Sequence, residues 1–279
     1  MKKILTIFAL GLLSLSLSAQ ESARWLRKSD ISADGSTIAF SYQGDIFTVP
    51  VSGGLAKQIT SNQAYDSDPL WTADGKSIVF SSFREDTKDI WIISAEGGKA
   101  RRLTTFPGAE TPLFVSKDGV VYFSANIQPD VNYDKFPGEP QVYTVNIKDG
   151  KSSLYTSIPM MNISANSNGI VLYEDYKGYE DPLRKHHTSS VTRDIWKYLP
   201  KKGQYQKLSR FAGENRNPVF TSNGLDYYFL SEQSGNFNVW KSNINAPETA
   251  TQITQLPTHP ARNLSIAADN TLLFSYNGD

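Results

Sequence analysis

Six short apolar segments, each placed directly after a turn dipeptide, constrain this chain more than any other feature. The segments are TIAFSY (37–42), SIVFSS (77–82), VVYFSA (120–125), IVLYED (170–175), DYYFLS (226–231) and TLLFSY (271–276). The dipeptides are Asp34–Gly35, Asp74–Gly75, Asp118–Gly119, Asn168–Gly169, Asn223–Gly224 and Asp269–Asn270. Asp-Gly and Asn-Gly favour two-residue hairpin loops, because both central positions of a type I′ turn need positive φ. Six hairpins with such turns are therefore expected.

Beyond five of the hairpins lies a further segment with an aromatic in register: DIFTVPV (45–51), DIWIISA (89–95), QVYTVNI (141–147), DIWKYLP (194–200) and NVWKSNI (238–244). A fourth, more polar segment closes four of those units: LAKQIT (55–60), KARRLT (99–104), QYQKLS (204–209) and TATQIT ending at Thr254. Gly53–Gly54 and Gly97–Gly98 introduce the first two as hairpin turns. Each unit reads as four antiparallel strands, the outermost the most polar, as suits a sheet edge. From Asp34 to Asp269 is 235 residues over five intervals, a mean of 47, near the period of propeller blades. No helix-period apolar pattern competes with this reading. A sheet of four short strands buries too little alone, whereas radial packing gives it a neighbour on both faces. The expected fold is an all-β propeller of four-stranded antiparallel blades. SYNGD at 275–279 repeats SYQGD at 41–45, so six blades are expected, the sixth truncated in this chain.

Composition narrows the chemistry. The 279 residues contain no cysteine, which excludes disulfides, thiolate metal sites, iron–sulfur clusters and a cysteine nucleophile. His186, His187 and His259 are the only histidines, too few for a multi-histidine centre. No metal and no cofactor is expected. Lys+Arg and Asp+Glu are each 28, and removing a leader with Lys2 and Lys3 leaves 26 against 28, or −2. That balance gives no field suited to nucleic acid or an anionic membrane. Lys2 and Lys3 precede an apolar stretch at 4–17, followed by Ser18 and Ala19, which reads as a cleaved secretory signal over 1–19. Fourteen helical residues span only about 21 Å, short of the roughly 30 Å hydrocarbon core. Export is expected, to the periplasm rather than the extracellular space, with 20–279 as the propeller.

The repeated Asp-Gly pairs lack the local set of six to eight oxygens that calcium needs, and turn geometry accounts for them. Asp45, Asp89 and Asp194, before the third strands, read as turn or strand-entry residues rather than as acid/base pairs. The fourth unit departs from the rhythm with YKGYEDPLRKHHTSSVTR (176–193), about twice the length of its counterpart in the second unit. Arg184, Lys185, His186, His187 and Arg193 concentrate there as candidates for binding a peptide carboxylate or another anion; the alternative is a solvated basic loop. His187, Ser190 and Asp194 can be drawn as a triad, but no glycine-framed nucleophile turn or oxyanion hole accompanies them. No catalytic residue is assigned. A second insertion, NIQPDVNYDKFPGEP (126–140), carries no strand or helix pattern.

The unit TADGKSIVFSSFREDTKDIWIISAEGGKARRLT (72–104) resembles the repeat shared by TolB-type propellers and the N-terminal propeller of tricorn-type proteases. The opening ARWLRKSDISADGSTIAFSYQGDIFTVPVSGG (23–54) and the insertion YEDPLRKHHTSSVTRDIWKY (179–198) resemble the start of bacterial tricorn-type serine peptidases. In that family a six-bladed propeller comes first, a seven-bladed one follows, and a PDZ domain and the catalytic core come last. The resemblance implies a non-catalytic propeller that shapes the access of peptides or unfolded segments to a distant serine and histidine. Its partners would be those peptides and the C-terminal domains of the same polypeptide, with homo-oligomerisation left open. Two alternatives stand beside it: a TolB-like envelope module that binds a protein partner, and the propeller of a prolyl-oligopeptidase-type hydrolase.

Overall fold

The computed structural model describes residues 26–127, 139–179 and 188–277. They form five four-stranded antiparallel sheets and a sixth sheet of two strands. Blade one comprises β1 (Arg27–Ile31), β2 (Thr37–Tyr42), β3 (Asp45–Pro50) and β4 (Lys57–Gln58). Blade two comprises β5 (Asp66–Trp71), β6 (Ser77–Glu85), β7 (Thr87–Ser94) and β8 (Arg101–Arg102). Blade three comprises β9 (Glu110–Val115), β10 (Val120–Ala125), β11 (Gln141–Asn146) and β12 (Ser152–Thr156). Blade four comprises β13 (Met160–Ala165), β14 (Val171–Asp175), β15 (Ile195–Leu199) and β16 (Gln204–Lys207), with a 3-10 turn at Pro200–Lys202. Blade five comprises β17 (Asn215–Phe220), β18 (Asp226–Ser231), β19 (Asn238–Asn243) and β20 (Ala246–Gln252). The last sheet pairs β21 (Ala261–Ile266) with β22 (Leu272–Tyr276).

The expected second and third strands appear almost residue for residue, whereas the turns between first and second strands differ from expectation. Gly35 is at φ 72°, but Asp34 is not in the positive-φ region, so the loop is not type I′. Instead Gly35 N–H donates to the Ser32 carbonyl at 2.9 Å, and Ser32 N–H reaches the Thr37 carbonyl at 2.9 Å. The Asp34 carboxylate accepts from the Ser32 hydroxyl at 2.6 Å and the Ser36 N–H at 3.0 Å. The aspartate thus acts through its side chain and only the glycine supplies left-handed backbone. Blade three also has an outer strand, β12, that the pattern omits, because SSLYT offers just two apolar residues.

Apolar burial lies between blades. Ala39, Ile46, Ile78, Phe80 and Ile93 form one buried cluster at the junction of blades one and two, and Val79, Ile90, Val121, Phe123 and Val145 form the next. Similar clusters occupy the three remaining junctions up to the sixth sheet. The second strands β6, β10, β14 and β18 each place residues against both neighbours, which is why these segments read as continuous apolar runs.

The first strands form an inner ring in which β21 packs against both β17 and β1. Side chains bridge it: the Ser265 hydroxyl accepts from Ile31 N–H at 3.2 Å, Asp30 from Trp71 N–H at 2.8 Å, and Ser164 from Phe220 N–H at 3.0 Å. Ala268 N–H adds a backbone bond to the Ala33 carbonyl at 2.9 Å, fastening the sixth sheet to the first blade. Every inner strand carries a bulge, with Lys28, Asp68, Asn162, Asn217 and Asn263 at positive φ and Pro112 at the corresponding place in β9.

In blades one, two, four and five the outer strand is latched by one hydroxyl. Thr60 Oγ1 accepts from Ile46 N–H at 2.9 Å and donates to Asp45 at 3.2 Å. Ser209 accepts from Ile195 N–H and donates to Asp194, and Thr254 accepts from Val239 N–H and donates to Asn238. Strand-entry aspartates thus serve the repeat. Blade two varies the theme, since Thr104 accepts from Ile90 N–H but turns its hydroxyl to Glu110.

Candidate functional site

Antiparallel topology sorts the connections by end. The Asp-Gly and Asn-Gly turns lie at one end of the blades, and the links from second to third strand lie at the other. Both long insertions, 126–140 and 176–193, are links of the second kind, so they emerge at the same end. Loops on a rigid scaffold are where binding groups concentrate, which makes this end the candidate site.

Of the candidates there, Arg184, Lys185, His186 and His187 lie outside the described residues. Arg193 is 7% exposed. Its Nε lies 3.5 Å from Glu174 Oε1, its Nη1 donates to the Asp175 carbonyl at 3.1 Å, and its guanidinium sits 5.0 Å from the Tyr176 ring centre. The positive charge is already held inside the blade. Asp194 is engaged as well, by Lys177 Nζ at 2.7 Å, Lys207 Nζ at 2.8 Å and the Ser209 hydroxyl at 2.7 Å. Burial alone would raise its carboxyl, but these donors hold it below the usual range. A carboxylate so occupied is a poor orienter for a histidine, and the drawn triad gains no support from it.

Charged groups that the sequence reading passed over gather under the same end. At the junction of blades four and five, Glu174 Oε2 accepts from Asn162 Nδ2 at 2.7 Å and Asn217 N–H at 3.1 Å. Glu214 Oε2 accepts from Arg216 Nε at 2.9 Å and Arg193 N–H at 3.4 Å, and Glu232 Oε1 accepts from Glu214 N–H at 3.2 Å. Burial, with Glu174 nearby, pushes the Glu214 carboxyl above its ordinary value despite Arg216. A second set lies in blade two and at its junction with blade three. Arg84 meets Asp66 at 2.7 Å, Arg102 meets Asp89 at 2.8 Å, and Glu110 lies fully buried against Thr104. Burial raises the Glu110 carboxyl to about 7, with Asp89 adding to the rise against the hydrogen bond from Thr104. One signal in the sequence marks these residues: an acid at or just before the inner strand, as in Glu110-Thr-Pro and Glu214-Asn-Arg.

Such groups position loops. Arg193, in the link from β14 to β15, reaches back to Glu174 and Asp175 of β14, which fixes where that link returns to the blade. Among the described residues no group of three or more His, Asp or Glu could hold a metal ion.

Comparison with known proteins agrees with this architecture. The tricorn protease crystal structure is similar over 92% of this chain and 25% of its own, with a TM-score of 0.75 at 20% identity, a likeness of fold. The uncharacterized peptidase YuxL of Bacillus subtilis (strain 168) is 38% identical over 81 residues, covering 28% of this chain and 12% of the relative. Tricorn protease homolog 1 of Streptomyces coelicolor is 27% identical over 77 residues, covering 28% of this chain and 7% of the relative. The chain thus spans a small part of the length of these two relatives. The family described as the tricorn protease N-terminal beta propeller domain matches residues 23–279, and the chain belongs to that family.

Proposed function

We propose that this propeller is a non-catalytic module of an exported tricorn-like serine peptidase and controls how peptides reach an active site elsewhere in the polypeptide. The observation that carries the reading is the placement of both long insertions at one end of the inner-strand ring, in a chain that belongs to a peptidase propeller family. The sixth sheet, fastened to blade one through Ile31–Ser265 and Ala268–Ala33, supports a ring of six blades. Arg184 and Lys185 in the insertion of blade four are the groups proposed to meet peptide carboxylates. Arg193, turned inward, holds the base of that loop.

Shortening residues 180–187 to a Gly-Ser link in the whole polypeptide tests this. Turnover of long peptides should change several-fold while turnover of a dipeptide amide stays near wild type. Equal effects on both would remove the access role.

A further inference from the structure

Among the described residues, blade two carries a feature that no other blade shares. Its second and third strands, β6 and β7, run nine and eight residues, whereas their counterparts have five or six. Pairing of β6 with β5 stops at Ser82–Asp66, and pairing of β7 with β8 reaches only to Trp91–Arg102. The hairpin 83–88 therefore projects past the sheet and, among the described residues, has no strand neighbour on either edge; it closes at Asp86, φ 69°, beside the Glu85–Thr87 pair.

Its charges are sorted by direction. Arg84 turns inward to Asp66 at 2.7 Å and lies over Phe80 and Trp91, at 5.2 and 5.3 Å from the ring centres. Lys88 turns to Asp68 at 3.0 Å and Thr111 at 3.2 Å. Glu85 and Asp86 stay exposed, with no ion pair among the described residues. A segment that is electrically balanced in sequence thus presents a net negative tip. Beside the tip, Phe83 is 48% exposed. Tyr65 is 50% exposed and directly precedes Asp66, whose partner Ser82 directly precedes Phe83. Among the described residues, two exposed aromatics, an unpaired strand edge and two carboxylates without an ion pair lie at the end that bears the long insertions.

We propose that this hairpin is a docking arm for an extended polypeptide segment in which a lysine or arginine neighbours an apolar side chain. The segment adds as a strand to the free edge at 83–85, its apolar side chain covers Phe83 and Tyr65, and its cation meets Glu85 and Asp86. This rests on the access reading above and gives it a substrate class. An isolated exposed charge contributes little, so the combination of edge, aromatics and paired acids carries the selectivity.

The test uses the chain itself and fluorescence anisotropy with two labelled eight-residue peptides, one alternating arginine with leucine and phenylalanine, the other with glutamate in place of arginine. Wild type should prefer the arginine peptide, more at 50 mM than at 300 mM salt. Glu85→Gln with Asp86→Asn keeps the turn, since asparagine tolerates positive φ. That variant should weaken binding of the arginine peptide by about fivefold to tenfold at low salt. Phe83→Ser should weaken it at both salt concentrations, with unfolding midpoints of all variants unchanged. Equal binding by wild type and variants overturns the docking arm while leaving the access reading in place. If neither peptide binds wild type, both fall.

Discussion

Glu110→Gln should stabilise the propeller above neutral pH and leave it nearly unchanged at pH 5. Glu110 is fully buried, and among the described residues its Oε1 has no hydrogen-bond partner. Burial raises its carboxyl from 4.5 to about 7. A folded-state pKa above the unfolded one means that the native protein holds the proton more tightly. The stability this confers is complete below about 4.5 and is lost as pH climbs through about 7. At about 1.36 kcal/mol per pH unit over this interval, ~3 kcal/mol disappears between pH 5 and pH 8. Complete burial means that solvent screening does not shrink it. Glutamine keeps the shape and cannot ionise, so the wild-type loss should be absent from the variant. For a domain of this size ~3 kcal/mol corresponds to about 6–12 °C. Asp30, pushed by burial to about 6, contributes a pH dependence of the same sign to both proteins and cancels in the difference. Urea and thermal unfolding at pH 5, 6, 7 and 8 measure it. A wild-type to variant difference that is flat across this range would refute the reasoning.

Three further outcomes follow from the packing. Thr254→Val removes the hydroxyl that accepts from Val239 N–H at 2.9 Å, and urea unfolding should show a loss of about 1–3 kcal/mol. Phe123→Ala empties a fully buried position between blades two and three, and should cost about 3–5 kcal/mol in the same measurement. Arg193→Met leaves Glu174 buried without its guanidinium, and should lower stability by about 3–5 kcal/mol, whereas Arg184→Gln should leave the unfolding midpoint where it is and weaken only acidic peptides.

The sequence pattern made the second strands legible because those of blades two to five face two blades and so run largely apolar, and the third strands because each carries an aromatic in register. The inner strands were less legible for the opposite reason. NRNPVF and DSDPLW carry a proline, several polar residues and a bulge, all of which break the period of two. Outer strands such as β4 and β8 are two residues long, and the rest of LAKQIT and KARRLT supplies the hydroxyl latch and its apolar neighbour. Cation density drew attention to 184–193, yet density says nothing of direction: Arg193 faces Glu174. The same limit hid the hairpin of blade two, where Arg84, Glu85, Asp86 and Lys88 sum to zero in sequence and divide into inward cations and outward acids only once the register is known.

The most direct test of the central claim is incubation of the purified chain with a panel of fluorogenic peptides, following cleavage and binding together. The account predicts that peptides bind and that none is hydrolysed. Hydrolysis that vanishes when Ser190 is changed to alanine would contradict it, placing the chemistry in the propeller itself.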